Sequence, residues 1–197
     1  MRDLLILASA SPRRKALLKE CNILFKAVNH GFDESSCIIK NPVLLAEKLA
    51  FGKAESVADN KKYFTHYVLG VDTIVVIKNK VLGKPSNPDD AEYFLKMLSG
   101  RKHKVITGIS VINRSKNISI TRHDTSFVYF DNIDVDFMKY YLDNKLWVGY
   151  AGGYAIQESI FNLIVKKIKG SYSNIVGLPV NMLYKTLQDV NFRNNIW

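Results

Sequence analysis

The sequence predicts an α/β domain with a mixed β-sheet, and three observations carry that prediction. Strand-like apolar segments alternate with amphipathic segments along most of the 197 residues, the order that places helices against a sheet. Residues 4–8 and 67–77 are nearly continuous apolar runs, which is typical of strands covered on both faces. Short polar turns between other strands indicate hairpins, so we expect antiparallel pairs in the same sheet.

The elements follow one another with clear start and stop signals. We expect a strand at 4–8, a helix at 12–20, a strand at 25–28, a helix at 42–59, a strand at 67–77 and its hairpin partner at 81–82. A helix from Pro88 to Gly100, strands at 103–112 and 118–130 and a helix at 135–143 follow. The glycine-rich residues 149–157 should run into a strand, followed by a strand at 160–168, a polar loop at 170–174 and a last helix at 179–190.

Composition describes an ordinary globular chain with a basic charge. Its 47% hydrophobic and 23% charged residues are usual values, and residues 1–197 are enough for one domain with a sizeable core. The formal net charge of +10 favours acidic partners such as nucleotide phosphates, nucleic acid or an anionic surface. The densest basic run, Lys166, Lys167 and Lys169, is interrupted by Ile168 and predicts one face of a strand or hairpin.

Cysteine usage and hydropathy indicate a cytoplasmic protein. Cys21 and Cys37 show neither a CxxC motif nor metal-ligand spacing, so a reducing compartment is expected. No apolar run approaches 18 residues, so no membrane span is predicted. The apolar segment at the N-terminus is too short for a signal peptide and is better explained as the first strand.

The first helix begins with an unusual charge. Ser9 and Ser11 lie in the short turn before it; we expect Ser11 to cap the helix and Pro12 to take its first position. Arg13 and Arg14 follow in the first turn, where the helix dipole normally favours acidic residues. A bound phosphate would compensate this positive charge. The alternative is a solvated helix start whose arginines pair with acids elsewhere.

Two charged residues lie in apolar surroundings. Lys53 shares a helix face with Leu45, Leu49 and Val57, so its amine either reaches outward to solvent or is directed into a cleft. Asp72 lies within the apolar strand 67–77, where a buried carboxylate needs a partner. Pairing with a buried Lys or Arg, metal ligation and general-base catalysis all remain open for it.

Together these residues fit a triphosphate site. Gly83-Lys84-Pro85 follows a strand and can present Lys84 to a phosphate, although the spacing is not that of a Walker A motif. A triphosphate travels with Mg²⁺ and needs cations for its oxygens and carboxylates for the metal. The candidate cations are Arg13, Arg14, Lys53 and Lys84, and the candidate carboxylates are Glu34 and Asp72.

The chain also resembles a known family over nearly its whole length. The residues that carry this resemblance are LASASPRRKALL at 7–18, Asp33-Glu34, LAFGKA at 49–54, GVDTIV at 70–75, LGKP at 82–85, LSGRKHKVITG at 98–108, GGYAIQ at 152–157 and IKGSYSNIVGLPV at 168–180. In this order they resemble the Maf family of septum-formation-associated nucleotide pyrophosphatases. The resemblance implies an elongated α/β fold with a substrate cleft between two lobes, often in a homodimer.

The resemblance also implies an activity and a role for each matching residue. The activity is hydrolysis of a nucleoside triphosphate between the α and β phosphates with a divalent metal, Mg²⁺ or Mn²⁺. Asp72 resembles the proposed general base and a metal ligand, and Glu34 the acid near the metal or water. The remaining matches are Lys84, which we group with the catalytic residues, Ser9, Ser11, Arg14 and Lys53 at the phosphates, and Arg13, Thr73 and Gln157 in base choice.

GVDT together with YAIQ looks like the subfamily acting on dTTP and UTP rather than on 7-methyl-GTP. The Gln157 amide can accept from N3–H and donate to O4 of uracil or thymine, and modified pyrimidine nucleotides are candidate substrates as well. Two alternatives stay open at this point. One is a nucleotide- or nucleic-acid-binding regulator of cell division, although no recognition motif supports nucleic acid as a partner. The other is a pyrophosphatase of inosine or xanthosine triphosphates.

Overall fold

The computed structural model describes residues 3–193. Within them the chain forms seven strands and six α-helices. The strands are β1 Leu5–Leu7, β2 Phe25–Ala27, β3 Tyr67–Ile77, β4 Lys80–Leu82, β5 Lys102–Asn113, β6 Ile118–Phe130 and β7 Val165–Lys169. The helices are α1 Pro12–Glu20, α2 Pro42–Ala58, α3 Pro88–Leu98, α4 Val135–Asp143, α5 Tyr172–Val176 and α6 Val180–Asp189.

The strands form one mixed sheet. Their order is β2-β1-β3-β5-β6-β7, with β4 paired to β3. β1 is parallel to β2 and to β3, whereas β4 on β3 and β7 on β6 are antiparallel. The predicted α/β class and mixed sheet are therefore confirmed. Among residues 3–193 no helix is both long and apolar enough to cross a bilayer, and both cysteines are free thiols.

The chain divides into two compact units. The first contains the chain up to Asp72, Thr107–Asp124 and the chain from Gly177 onward, and the second contains Thr73–Ile106 and Thr125–Val176. The organisation of residues 1–197 as one domain stays a prediction, as do the elongated shape and the cleft.

The core of the first unit covers both faces of β1 and β3. Side chains alternate between the faces of a strand, so Leu5 and Leu7 pack with Leu183 of α6, whereas Ile6 packs with Ala54 of α2. The continuous apolar run of β1 follows from this double coverage.

The second unit is built around a hairpin and a cluster of aromatic rings. β3 and β4 are joined at Lys78 and Asn79, whose φ angles of 47° and 62° are those of a type I′ turn. Asn87 caps α3, because its Oδ1 accepts a hydrogen bond from the Asp90 N–H at 2.8 Å. The ring cluster joins Phe130, Phe137, Tyr141, Tyr154 and Phe161.

Three expectations in the last third of the chain are wrong. The residues up to 157 enter no strand, and Ser159–Leu163 is a 3-10 helix, so the strand expected at 160–168 begins only at Val165. The loop expected at 170–174 contains the start of α5. Asn174 explains this helix, because its buried Nδ2 donates to the Val105 carbonyl at 3.1 Å and to Ser126 Oγ at 2.9 Å.

Candidate active site

The first unit contains a buried ion pair between α2 and β3. Lys53 Nζ lies 2.6 Å from Asp72 Oδ1, and the two residues are only 5% and 7% exposed. Of the two interpretations of Lys53, the one that directs its amine outward is wrong. The pairing expected for a carboxylate within a buried strand is found, since Lys53 is the partner that Asp72 requires.

The local sequence explains why these two side chains meet. Val68 packs with Ala54 of α2, and the two-residue period of a strand places Gly70 and Asp72 on the same face as Val68. A Cβ atom at Gly70 would clash with the backbone of Ala50 and Ala54. The missing side chain at Gly70 therefore lets α2 approach β3 closely. Asp72, the next residue on that face, contacts Lys53 as a result.

Glu34 brings a second carboxylate to the same ammonium group. Its Oε2 lies 2.9 Å from Lys53 Nζ, and its side chain is 48% exposed. The short turn around it is fixed by Asp33, whose Oδ1 accepts hydrogen bonds from the N–H and the hydroxyl of Ser35 at 3.0 and 2.6 Å. These hydrogen bonds lower the pKa of Asp33. The loop that contains Asp33 and Glu34 therefore contacts Lys53 through Glu34.

Arg14 lies in the electrostatic field of the same carboxylates. Burial lowers its pKa to about 10, which the charges of Asp72 and Glu34 oppose and that of Arg13 reinforces. Arg14 is therefore still a cation at neutral pH. Its side chain is held by two hydrogen bonds, from Nε to the Gly177 carbonyl and from a terminal nitrogen to Ser9 Oγ, both 3.0 Å long.

Ser9, rather than Ser11, organises the start of α1 through its side chain. Ser9 is buried, and its Oγ accepts from Arg14 and from the Ser11 N–H, the latter at 3.3 Å. Ser11 is the cap residue by position, as expected, but its side chain makes no capping hydrogen bond. The Ser11 hydroxyl therefore takes no part in capping α1.

Sequence reasoning missed His30. Its Nε2 lies 3.7 Å from Glu34 Oε1, and burial together with the charge of Lys53 lowers its pKa. His30 is thus a neutral imidazole beside Glu34 at neutral pH. The one signal in the sequence is its spacing, four residues before Glu34 in the same loop.

Of the remaining predicted residues, Arg13 lies on α1 in the first unit, whereas Thr73, Lys84 and Gln157 lie in the second. Thr73 directly follows Asp72 on β3 and is half-buried, while Lys84 and Gln157 are exposed. The backbone links the segments of the last two, because the Gly152 N–H donates to the Gly83 carbonyl at 2.8 Å. Arg14, Lys53, Asp72 and Glu34 are thus brought together, whereas a meeting of these four with Thr73, Lys84 and Gln157 stays a prediction.

The carboxylates of the first unit fit a hard divalent cation. Asp72 and Glu34 converge on one point, the Lys53 ammonium. Among residues 3–193 no group of three or more His, Cys, Asp or Glu side chains is placed to hold a metal ion. Mg²⁺ binds through one or two carboxylates and takes its other ligands from water and substrate phosphates, so this pair suits a metal that arrives with a triphosphate.

Comparison with known proteins identifies the family of this chain. Residues 4–190 match the family model for Maf-like proteins. The chain belongs to the Maf family. The predicted resemblance is therefore confirmed, and the paired Lys53 and Asp72 of this Maf protein lie within its matched region.

Several curated relatives of this Maf protein carry the name dTTP/UTP pyrophosphatase. The relative from Ruminiclostridium cellulolyticum is 43% identical over 95% of this chain and 96% of its own. Those from Syntrophus aciditrophicus and Clostridioides difficile are 40% and 41% identical, over 94% and 91% of this chain and 89% and 91% of theirs. Among solved structures, the Staphylococcus aureus Ham1 protein aligns over 65% of this chain and 72% of its own, with 12% identity and a TM-score of 0.43.

Proposed function

We propose that this Maf protein hydrolyses dTTP and UTP between the α and β phosphates, releasing a nucleoside monophosphate and pyrophosphate. The observation that carries the proposal is the buried pair of Lys53 and Asp72, joined by Glu34 and lying in the field of Arg14. Burial of charged groups costs desolvation free energy even within a pair, which favours a functional role for these residues. The relatives named dTTP/UTP pyrophosphatase supply the base class.

Asp72 acts as the general base in this proposal. Its Oδ1 is held by Lys53 Nζ at 2.6 Å, which fixes the orientation of the carboxylate. The second oxygen, Oδ2, takes a proton from the attacking water. The water oxygen forms a new bond to phosphorus, the bridging bond between the α and β phosphates breaks, and pyrophosphate leaves with the bridging electron pair.

The cations hold the phosphate chain. Arg14 offers a guanidinium group fixed by Ser9 and Gly177, and a fixed fork of donors suits phosphate oxygens. Lys53 and Lys84 add ammonium groups, and Ser9 and Ser11 line the turn before α1. Charge placed in advance around the phosphates stabilises the transition state without reorganisation.

Asp72 and Glu34 would hold the divalent cation, Mg²⁺ or Mn²⁺. When bound, the metal would offset the charge of the phosphate oxygens and polarise them toward attack. Arg13, Thr73 and Gln157 select the base, with the Gln157 amide facing the N3–H and O4 groups of uracil or thymine. We further expect the protein to be cytoplasmic, in line with the free cysteines, and to form a homodimer.

Product analysis tests this function directly. The purified full chain is incubated with Mg²⁺ or Mn²⁺ and each of UTP, dTTP, CTP, ITP, XTP and 7-methyl-GTP, and products are resolved by ³¹P NMR and anion-exchange chromatography. We expect UMP and pyrophosphate from UTP, and no turnover after chelation until metal is restored. Release of UDP and orthophosphate would contradict the proposed cleavage position. A preference for ITP or XTP would contradict the proposed base class. Turnover of no triphosphate would favour a binding protein.

A further inference from the structure

The structure points to a positioning role for two buried residues of the second unit, Tyr154 and His103. We propose that the hydrogen bond between them fixes the segment that presents Gln157, and that base selection depends on this bond. The inference rests on the proposed function, in which Gln157 faces the base.

The hydrogen bond is short and fully enclosed. His103 Nε2 lies 2.7 Å from the Tyr154 hydroxyl oxygen, and the two residues are 2% and 5% exposed. Phe130 packs edge-on against both rings, with centroids 4.8 Å from His103 and 5.0 Å from Tyr154. Tyr154 is therefore anchored by its ring as well as by its hydroxyl group.

Gln157 follows Tyr154 by three residues. Ala155 and Ile156 are buried, at 3% and 7% exposure, and the Glu158 N–H donates to the Ala155 carbonyl at 3.0 Å. This hydrogen bond closes a four-residue turn that has Gln157 as its third residue. The exposed glutamine thus lies at the tip of a turn whose first residue directly follows Tyr154.

A second anchor precedes Tyr154. Gly152 has a φ of 71°, and a Cβ atom there would lie 2.9 Å from a methyl group of Val75, so only glycine fits. The Gly152 N–H donates to the Gly83 carbonyl at 2.8 Å, beside Lys84. The Gln157 segment is therefore held by Gly152 at the Gly83 carbonyl and by Tyr154 at His103 of β5.

Fixed placement matters because a glutamine amide is chemically ambiguous. Its carbonyl and NH₂ groups complement uracil in one orientation and cytosine after a half-turn of the amide. Preference for uracil over cytosine thus requires that Gln157 be held in one position relative to the base. A turn free to shift would let the amide accommodate both bases.

The anchor is uncharged over the working range of pH. Burial lowers the pKa of His103 to about 3 and raises that of Tyr154 well above its ordinary value. The hydrogen bond between these neutral groups therefore persists from mildly acidic to mildly basic solution. A change in base selection caused by its loss should not vary with pH.

Tyr154→Phe removes the hydroxyl group and keeps the ring, so it tests the bond with little loss of packing. The quantity measured is the ratio of kcat/KM for UTP to that for CTP. We expect Tyr154→Phe to lower this ratio about fivefold, the factor that corresponds to one neutral hydrogen bond, at both pH 6.5 and pH 8. Gln157→Ala should lower it at least as far, and the double variant no further than Gln157→Ala alone.

Tyr67→Phe is the matched control. Tyr67 is buried in the first unit, its ring lies edge-on to Phe192 with centroids 5.3 Å apart, and its hydroxyl donates to the Val190 carbonyl at 2.8 Å. Removal of this hydroxyl should lower stability and leave the UTP to CTP ratio unchanged. His103→Gln, which retains a polar group toward Tyr154, should lie between wild type and Tyr154→Phe.

The outcomes separate the inference from the proposed function. If Gln157→Ala changes the ratio and Tyr154→Phe does not, or if Tyr67→Phe changes it equally, the positioning role is wrong and the proposed function stands. An additive double variant also contradicts the inference. If Gln157→Ala itself leaves the ratio unchanged, the base-selecting role of Gln157 fails and the inference fails with it.

Discussion

Lys53 and Asp72 form a buried ion pair with 2.6 Å between Nζ and Oδ1, although 19 positions separate them in the sequence. Glu34 extends the pair to three charged groups. One cation among two carboxylates leaves this cluster with a net negative charge, and Arg14 lies close enough for both acids to favour its charged form.

Removal of the central cation should be severe. Lys53→Met leaves Asp72 in a buried strand without its ammonium partner, and loss of one partner of a buried pair destabilises by about 3 kcal/mol or more. We expect urea unfolding to show this loss and pyrophosphate release to stop. Lys48→Met is the control: Lys48 is an exposed lysine of the same helix, and its removal should change stability by less than about 0.5 kcal/mol.

One outcome for Lys53→Met would contradict the role of the ion pair. Wild-type stability in that variant would mean that Asp72 needs no charged partner. A double variant, Lys53→Met with Asp72→Asn, should recover part of the lost stability because no buried charge remains unpaired. It should not recover turnover.

The approach of α2 to β3 depends on Gly70. In Gly70→Ala the new methyl group meets the backbone of Ala50 and Ala54, and such overpacking costs about 1–3 kcal/mol. Because Ala54 is next to Lys53, we also expect turnover to fall more than stability alone explains. Gly83→Ala, where no heavy atom lies within 4 Å of the added Cβ, serves as the stability control. Equal unfolding midpoints for the two variants would refute the packing argument.

Arg14 should not be replaceable by lysine. Its guanidinium donates from two different nitrogens to Gly177 and Ser9. A lysine carries all its donors on one nitrogen and cannot reproduce this planar fork. We expect Arg14→Lys to raise the KM for UTP about tenfold through lost charged hydrogen bonds. Arg101→Lys, at an exposed arginine on the C-terminal carbonyls of α3, should leave KM as it is. An unaltered KM in Arg14→Lys would remove Arg14 from the phosphate site.

Acid should weaken the second unit through His103. Its pKa is about 3 in the folded protein and about 6.5 in an unfolded chain. Between these values the unfolded state binds more protons, so the free energy of unfolding decreases as pH falls from about 6.5 toward 3. In urea unfolding at pH 7.5, 6 and 5, the advantage of wild type over His103→Gln should shrink by up to about 1 kcal/mol per pH unit. A difference in unfolding free energy between the two proteins that is the same at all three pH values would contradict the low pKa of His103.

Sequence patterns predicted the regular elements of this fold well. The strands predicted at 67–77 and 118–130 match β3 and β6, because β-branched and aromatic residues are frequent in both segments. The helices begun by Asn41-Pro42 and Asn87-Pro88 also match, since cap and proline signals are local.

Tertiary contacts determine the secondary structure of the segments that were predicted wrongly from the sequence. Phe161 lies in the apolar stretch expected to be a strand, yet its burial in the ring cluster accompanies a 3-10 helix. Asn174 has the polarity of a loop residue but donates two buried hydrogen bonds. Neither contact is visible in a local pattern, which is why propensity fails at both places.

The candidate site shows the same division. A pattern placed Lys53 on an apolar helix face and Asp72 in an apolar strand, but the distance between them follows from the packing of α2 on β3 at Gly70. The spacing of His30 from Glu34 was too weak a signal to identify it, because a histidine in a polar loop is common. Its approach to Glu34 becomes apparent only from the folded loop.

The most direct measurement is pyrophosphate release from UTP by wild type and by Asp72→Asn, with Asp59→Asn as a control at an exposed carboxylate paired with Arg114. The substitution keeps the size of the side chain and leaves Lys53 with Glu34 as a partner, so far-ultraviolet circular dichroism should confirm an intact fold. We predict a loss of turnover of at least about 100-fold in Asp72→Asn, the contribution of a general base, and none in Asp59→Asn. Full turnover by a folded Asp72→Asn would contradict the proposed chemistry.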